Sequence, residues 1–317
     1  MRLGHDHARV RVPATSANLG PGFDALGLAL ALHDDLDVRA LGSAEVVVEV
    51  TGEGAGEVPL GEDHLVVRAL RLALDHVGAP QTGLHLTCVN RIPHGRGLGS
   101  SAAAAVGGVL LARALLAEPE ALDDAAVLAI ACGLEGHPDN AAPAILGGAT
   151  IAWVEADDAA PPTARPHAIR LAVHADIEPV VIVPAFRLAT TTARGVLPAT
   201  VPHADAAAQA GRAALLVEAL GRRPDLLLPA TQDRLHQGYR RAVMPDTLAL
   251  VDALRARGVA AVVSGAGPTV LALARRTDDG RTDADEAIAA AFGGQMGGWR
   301  VLRPGVDVDG ARAWQVG

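Results

Sequence analysis

The sequence contains no lysine, and all 27 basic residues among its 317 residues are arginines. This absence excludes a Walker A phosphate loop, the strand lysine of protein kinases and a Schiff-base lysine, because each of these sites requires a lysine side chain. Any phosphate site in this chain must therefore use backbone amides, hydroxyl groups or arginines.

Aromatic residues, cysteines and excess positive charge are also scarce. Only 2% of the chain is aromatic while 50% is hydrophobic, so we expect a core of Ala, Val and Leu. Cys88 and Cys132 lack metal-ligand spacing, and we expect reduced thiols. The net charge of −9 argues against a nucleic-acid partner. No apolar run reaches membrane-spanning length and the polar N-terminus is unlike a signal peptide, so we expect a cytoplasmic protein without a membrane partner.

The order of the predicted elements indicates an α+β protein. Strands come first, then helices, and then strands again, without a regular βαβ alternation. The stretch 155–167 is rich in Asp, Ala and Pro and is the best candidate boundary, so we expect two domains, 1–160 and 161–317. The sequence leaves the oligomeric state open, and a homodimer is compatible with it.

The densest motif is the glycine loop, Pro93–Ala103, which joins a predicted strand, 84–92, to a predicted helix, 102–117. Glycines let the backbone approach a phosphate, and the first amides of a helix favour an anion. Ser100 and Ser101 can cap the helix or bind phosphate or Mg²⁺. A capped glycine turn is the alternative. The candidate phosphate-binding residues are Pro93, His94, Gly95, Arg96, Gly97, Leu98, Gly99, Ser100, Ser101, Ala102 and Ala103.

A second loop, Pro13–Asp24, follows a short predicted strand, 10–12, and is too rich in Pro, Gly, Asn and Ser for a regular element. Asn18 and Asp24 could recognise a polar small molecule from such a loop. They could equally bond to the backbone of an elaborate turn, and spacing alone favours neither interpretation.

Three potential ligands alternate with spacers in Glu135-Gly136-His137-Pro138-Asp139. A carboxylate beside the phosphates is what a Mg²⁺ ion bound to ATP requires. The alternative is that Gly136 ends one helix and Asp139 caps the next, which leaves Glu135 unexplained. A structural role for His137 is the simpler interpretation.

Further along, Arg194 and Arg240 could supply guanidinium groups for a carboxylate or a phosphoryl group, although single arginines are commonly solvated surface residues. A second Gly/Ser loop, Ser264–Thr269, either forms a tight hairpin or packs closely against another backbone segment.

Together these segments resemble the GHMP kinase family. Its ATP loop is similar to P-x-x-x-G-L-G-S-S-A-A, and P-A-T-S-A-N-L-G-P-G-F-D and E-G-H-P-D-N-x-A-P-A-x-x-G-G resemble its homoserine kinase branch. The resemblance covers nearly the whole chain. It implies an N-terminal α/β domain like one found in ribosomal proteins, a C-terminal ferredoxin-like domain, and ATP in the cleft between them.

The resemblance also implies an activity, the phosphorylation of L-homoserine by ATP on the route to threonine. Mg²⁺ would be held by Ser101 and Glu135, and Ser264–Thr269 would support the glycine loop. Substrate contacts are implied for Asn18, Asp24, Asp139, Asn140, Thr190, Arg194 and Arg240, of which Asp139, Arg194 and Arg240 are the candidate catalytic residues. Whether any residue is a general base stays open, since the family's Asp139 counterpart binds the substrate ammonium.

The adenine contact departs from the family pattern, because the usual Asn-Leu pair is replaced by His64-Leu65. His64 is either a nucleotide contact or an ordinary first residue of the helix 64–77, capped by Asp63. Two rival functions remain, a mevalonate-type kinase and a nucleotide sensor. The missing lysine argues against the first, and the set of Ser101, Glu135 and Asp139 argues against the second.

Overall fold

The structure, a computed structural model, describes residues 1–156, 164–277, 280–293 and 297–316. Within these ranges the strands are β1 (His7–Ala17), β2 (Leu26–Leu41), β3 (Val46–Gly52), β4 (Gly83–Asn90), β5 (Ala149–Ala156), β6 (Ala164–Leu171), β7 (Ile177–Pro184), β8 (Ala261–Val263), β9 (Val270–Arg275), β10 (Trp299–Leu302) and β11 (Arg312–Gln315). The helices are α1 (Leu65–His76), α2 (Ser100–Leu115), α3 (Asp124–Glu135), α4 (Ala141–Leu146), α5 (Thr190–Gly195), α6 (His203–Gly221), α7 (Leu227–Ala230), α8 (Pro245–Arg255) and α9 (Asp285–Phe292).

Two sheets organise these elements, as the predicted α+β class requires. The first has seven strands, in the order β11-β1-β2-β4-β3, with β5 pairing with β2 and β6 pairing with β5. The second has four strands in the order β10-β7-β9-β8, and every pairing in it is antiparallel. When β7, β8, β9 and β10 are numbered 1 to 4 in chain order, the order in this sheet is 4-1-3-2. Helices α5–α8 connect β7 to β8, and α9 connects β9 to β10. The predicted ferredoxin-like C-terminal domain is confirmed.

The larger core confirms the expected Ala, Val and Leu composition. Helix α2 is buried along most of its length, and its small side chains allow α1 and β1 to pack closely against it. An added Cβ at Gly108 would lie 2.3 Å from the carbonyl oxygen of Val66, so a larger side chain would separate the two helices. This packing fixes the N-terminus of α2, and with it the glycine loop, above the sheet.

The first sheet extends beyond the predicted domain boundary. Strands β5 and β6 flank residues 157–163, which lie outside the described residues, and they pair with each other, with Ile151 opposite Ile169. The second sheet begins only at Ile177. We therefore propose that the first domain includes β6 and β11 and that the second runs from β7 to β10, instead of a division after residue 160.

Strand β11 was not predicted. It pairs antiparallel with β1, with Ala313 opposite Val10, and so returns the chain to the first sheet. Its residues are exposed or half-buried because it is an edge strand. No apolar alternation therefore marks it in the sequence.

The irregular loop predicted from Pro13 onward begins later than expected. Strand β1 continues to Ala17, and its register with β2 shifts between Pro13 and Ala14. A bulge lets a strand accommodate proline, which cannot donate a ladder hydrogen bond. Of the helices in the described ranges, none combines the length and apolarity that crossing a bilayer requires.

Candidate active site

A cavity of about 650 Å³ lies where the two sheets meet. The glycine loop and the end of α3 line it from the first sheet, and α5 and the loop after β8 line it from the second. Its polar lining includes Asn18, Glu135, Asp139, Arg194 and Arg240, all predicted from the sequence as site residues.

The glycine loop depends on glycine at two positions. Gly97 has φ 74°, and an added Cβ would lie 2.2 Å from the carbonyl oxygen of Ser264. Gly99 has φ 68° and is the N-cap of α2, where an added Cβ would lie 2.0 Å from Thr15 Oγ1. No side chain caps this helix, so of the two roles considered for Ser100 and Ser101 the capping role is excluded. The first amides of α2 therefore stay available to an anion.

The second sheet holds the glycine loop in place. Ser264 donates its hydroxyl hydrogen bond to the Gly97 carbonyl oxygen at 2.6 Å. The Arg96 guanidinium donates to the carbonyl oxygens of Pro184 at 2.9 Å and Ala185 at 2.8 Å, at the end of β7. Segment Ser264–Thr269 thus joins the antiparallel strands β8 and β9 and also packs on the loop, so both interpretations of it are correct. The Arg96 side chain orders the loop.

The two predicted metal ligands lie side by side. Ser101, in the first turn of α2, donates a hydrogen bond of 2.5 Å to Glu135 Oε1 at the end of α3. Helix α3 ends there because Gly136 adopts φ 85°, as predicted. Burial raises the pKa of the Glu135 carboxyl group. Among the described residues no group of three or more His, Cys, Asp and Glu side chains is placed to hold a metal ion.

Asp139 is held by its neighbours. It is 1% exposed and accepts a hydrogen bond of 2.6 Å from His137 Nδ1. This bond raises the pKa of the His137 imidazole. Asn140, not Asp139, is the N-cap of α4, and its side-chain oxygen accepts from Thr15 Oγ1 at 2.9 Å. The alternative interpretation, in which Asp139 caps α4, is therefore wrong, because its carboxylate accepts a hydrogen bond from His137 and lines the cavity instead.

The loop after β1 takes part in both roles that the sequence left open. Asn18, with φ 69°, donates to the Gly265 carbonyl oxygen at 2.9 Å and accepts from the Asp24 backbone amide at 3.0 Å. Its side chain thus orders the loop while it lines the cavity. The Asp24 carboxylate receives two hydrogen bonds from Arg194, at 2.6 and 3.2 Å.

Arg240 is the largest fully buried side chain of the described residues, at 1% exposure. Burial and the nearby Arg194 lower the pKa of its guanidinium to about 10. The ring of Phe23 lies 5.5 Å from Arg194 Cζ and 6.0 Å from Arg240 Cζ. Thr190, the first residue of α5, lines the cavity beside them. Two guanidinium groups therefore lie at one end of the cavity; Arg194 is paired with Asp24, and Arg240, which has no carboxylate within salt-bridge distance among the described residues, could stabilise an anionic group.

Known proteins resemble this chain in sequence and in fold. A sequence profile described as "GHMP kinases N terminal domain" matches residues 64–148, and one described as "GHMP kinases C terminal" matches residues 206–293. The chain is 55% identical to homoserine kinase from Streptomyces coelicolor, over 96% of this chain and 93% of that one. It is 54% identical to homoserine kinase from Streptomyces avermitilis, over 96% and 94%. The crystal structure of homoserine kinase from Cytophaga hutchinsonii superposes with a TM-score of 0.82 at 27% identity, over 98% of both chains. The chain belongs to the GHMP kinase family.

The end of the cavity beside α1 contains His64 in this GHMP kinase. The imidazole is 5% exposed and lines the cavity, and its Nδ1 is buried without a hydrogen-bond partner among the described residues. Burial and the neighbouring His94 lower its pKa, so the ring is neutral at pH 7. The predicted Asp63 cap is wrong, because His64 has extended backbone angles and itself occupies the N-cap of α1.

Two predicted residues of this GHMP kinase lie off the cavity wall. Ala102 is fully buried in the packing of α2, and Asp24 adjoins the site through Arg194. Sequence reasoning also missed lining residues, among them Asp34, Asn90 and Leu188. Asp34 had a readable signal, since it is a charged residue within the strand β2.

Asp34 anchors the start of the glycine loop. It is 5% exposed, and its Oδ1 accepts hydrogen bonds from the backbone amides of Arg91 at 2.6 Å and Ile92 at 2.9 Å. Burial raises the pKa of this carboxyl group to about 6. The residue thus ties β2 to the segment that enters the loop.

Proposed function

We propose that this GHMP kinase transfers the terminal phosphoryl group of ATP to the side-chain hydroxyl of L-homoserine, giving O-phospho-L-homoserine on the route to threonine. One observation carries this proposal. A single cavity is lined both by the glycine loop at the N-terminus of α2 and by a cluster of acidic and guanidinium side chains suited to an amino acid. The homoserine kinases to which the chain is similar support the choice of amino acid.

The acidic and guanidinium side chains at this end of the cavity, here called the substrate cluster, are complementary to the ammonium and carboxylate groups of an amino acid. Arg194 and Arg240 would receive the carboxylate or the transferring phosphoryl group, because a guanidinium binds either with paired hydrogen bonds. The carboxylate of Asp139 would receive the ammonium group, and Asp24, which adjoins the site through Arg194, would add its negative charge to that end of the cavity. Three further residues line the cavity and would complete the substrate contacts. They are Thr190 in α5, Asn18 in the loop after β1 and Asn140 at the N-cap of α4.

The nucleotide would occupy the other end of the cavity. The uncapped first turn of α2 supports a phosphate site, since free amides and the helix dipole favour an anion. His64 would contact the adenine ring, and its unpartnered Nδ1 supports that assignment. A buried polar atom without a partner costs roughly 1–3 kcal/mol, and a hydrogen bond from a ligand would recover it.

Mg²⁺ would be held by Ser101 and Glu135. The hydroxyl and carboxylate oxygens lie 2.5 Å apart, and both are hard oxygen donors of the kind that Mg²⁺ prefers. Two protein ligands fit an ion that takes its remaining ligands from phosphates and water. When bound there, the ion would neutralise charge on the phosphate oxygens.

The chain's own contribution to the reaction would be mostly positioning and charge stabilisation. The glycine loop orients the phosphates, and the carboxylate and guanidinium cluster orients the acceptor hydroxyl toward them. Asp139 is a poor candidate for a general base, because its carboxylate already accepts from His137 and would bind the substrate ammonium. The two cysteines are unpaired, which supports a reducing, cytoplasmic setting.

The experiment is ADP release with Mg²⁺ and ATP against a panel of acceptors: L-homoserine, L-threonine, mevalonate, galactose and none. We expect turnover that depends on L-homoserine, with a phosphomonoester product. Turnover with another alcohol would preserve the nucleotide site and refute the homoserine assignment. Binding of nucleotide without turnover on any acceptor would favour a sensor.

A variant separates enzyme from binder. Glu135→Ala should lose turnover while it still binds nucleotide, because the amides of α2 remain. Asp124→Ala is the control, since Asp124 is an exposed carboxylate at the opposite end of α3. Equal loss in both variants would contradict a local role for Glu135.

A further inference from the structure

The guanidinium of Arg240 is anchored by three of its five N–H groups. Nε donates to the Ala193 carbonyl oxygen at 3.2 Å. Nη1 donates to the Gly265 carbonyl oxygen at 2.9 Å and to His236 Nδ1 at 3.0 Å. Nη2 has no hydrogen-bond partner among the described residues, so its two N–H groups are the ones left for a ligand. No described carboxylate lies within salt-bridge distance of Arg240.

His236 is completely buried, and its contacts define which nitrogen carries the proton. Nε2 lies 2.7 Å from the Gly20 carbonyl oxygen, which can only accept, so Nε2 is protonated. Nδ1 faces Arg240 Nη1, which can only donate, so Nδ1 is bare. The imidazole is therefore neutral and acts as an acceptor toward Arg240. Phe23 stacks on its ring at 5.0 Å between centroids.

A turn built around Asp233 holds the imidazole in this position. Oδ1 accepts hydrogen bonds from the Leu235 amide at 3.0 Å and from Gln209 Nε2 at 2.8 Å. Oδ2 accepts from the amides of His236 at 3.1 Å and Gln237 at 2.8 Å. Both carboxylate oxygens of Asp233 thus bind groups of the protein itself, so the turn has a structural role and supports the His236 ring.

We propose that His236 is a positioning residue, which fixes the guanidinium of Arg240 at the cavity without placing a negative charge in direct contact with it. A carboxylate in the same place would also orient Arg240, but it would neutralise the charge that an anionic ligand requires. A neutral acceptor such as the His236 imidazole orients the guanidinium without neutralising its positive charge. The proposal rests on the proposed function, in which Arg240 meets the carboxylate or phosphoryl group.

Two substitutions of His236 separate the acceptor role of Nδ1 from the donor role of Nε2. His236→Asn places an amide oxygen near the position of Nδ1, so it keeps an acceptor for Arg240 and loses the donor to Gly20. His236→Gln can still donate to Gly20 but loses the acceptor. Each variant forfeits one buried hydrogen bond, so their losses of thermal stability should be similar. We expect His236→Gln to lower kcat/KM about 100-fold, the scale of an ångström-sized misplacement, and His236→Asn to lower it at least tenfold less.

A double-mutant cycle tests whether His236 acts through Arg240. In an Arg240→Ala background, His236→Gln should change kcat/KM less than about twofold, because the group that it positions is absent. An equally large loss in both backgrounds would overturn the proposal, and so would equal losses of activity for the Asn and Gln variants.

The tautomer is tested without any turnover. Nitrogen-15 NMR of the wild-type protein, with the His236→Asn spectrum to assign the signal, should show a protonated Nε2 and a bare Nδ1 at neutral pH. A protonated Nδ1 would refute the proposal even if L-homoserine is the substrate. If wild-type enzyme instead prefers another acceptor, the cycle is measured with that acceptor, so failure of the substrate assignment stays distinct from failure of the positioning role.

Discussion

Replacing Asp34 with asparagine should make the protein more stable at alkaline pH. The Asp34 side chain accepts two backbone hydrogen bonds with a single oxygen, and it does so in a buried position at the start of the glycine loop. An asparagine oxygen can accept the same two bonds, and the amide does not ionise. The variant therefore keeps the anchor and removes the cost of a buried charge.

The magnitude follows from the raised pKa. Since the folded-state pKa of about 6 exceeds the ordinary value of 3.8, stability from this group is fully present below about pH 3.8. It is lost as the pH rises through about 6. Between pH 5 and pH 8 the Asp34 contribution to the free energy of unfolding should fall by about 1.4 kcal/mol, given these two pKa values. Asp34→Asn should escape that loss.

The assay is urea denaturation of wild type and Asp34→Asn at pH 5 and pH 8. The change in the free energy of unfolding between the two pH values is subtracted between the two proteins, so the contributions of the other titrating groups cancel. Asp34→Ala is the control for the anchor. It leaves the Arg91 and Ile92 amides without their acceptor, so it should be less stable than Asp34→Asn by about 2–6 kcal/mol at both pH values. Parallel pH profiles of wild type and Asp34→Asn would refute the reasoning. A rise in the KM for ATP only in Asp34→Ala would connect the anchor to the glycine loop.

Three further outcomes are expected. Gly97→Ala should raise the KM for ATP at least tenfold, because its Cβ would lie 2.2 Å from a carbonyl oxygen. The control is Gly133→Ala, in a helix position with open space around it. This variant should bind ATP normally and gain about 0.5–1 kcal/mol in stability. Asp139→Asn should raise the KM for homoserine with kcat near wild type, and it should lower the pKa of His137 in an NMR titration, since the carboxylate raises that pKa. His64→Ala should raise the KM for ATP and leave that for homoserine near wild type. A kcat collapse in Asp139→Asn, or an unchanged KM for ATP in His64→Ala, would contradict these assignments.

The chemistry of the site was largely readable because it is concentrated in local motifs. Glycines, serines and the start of a helix are neighbours in the glycine loop, so their joint function follows from spacing. The pair of Ser101 and Glu135 was predicted from two separate motifs, and the packing of α2 against α3 brings them into contact. Helices with long apolar periodicity were also predicted, with ends that differ by one or two residues.

What the sequence could not determine are contacts between distant segments that carry no local pattern. Strand β11 pairs with β1 across nearly the whole chain, and as an edge strand it has no apolar alternation. Arg194 could not be assigned to Asp24, nor His236 to Arg240, because any of the chain's arginines could make such pairs.

The amino-acid sequence by itself determined the fold class, the absence of a lysine-based phosphate site and most of the polar residues that line the cavity. Only the tertiary structure decided how those residues are used. It left α2 uncapped, occupied Asn18 with loop hydrogen bonds and turned His236 into a neutral acceptor for Arg240. The physical reason is that hydrogen-bond partners, burial and the resulting protonation states depend on which segments meet in space, and local sequence does not encode those meetings.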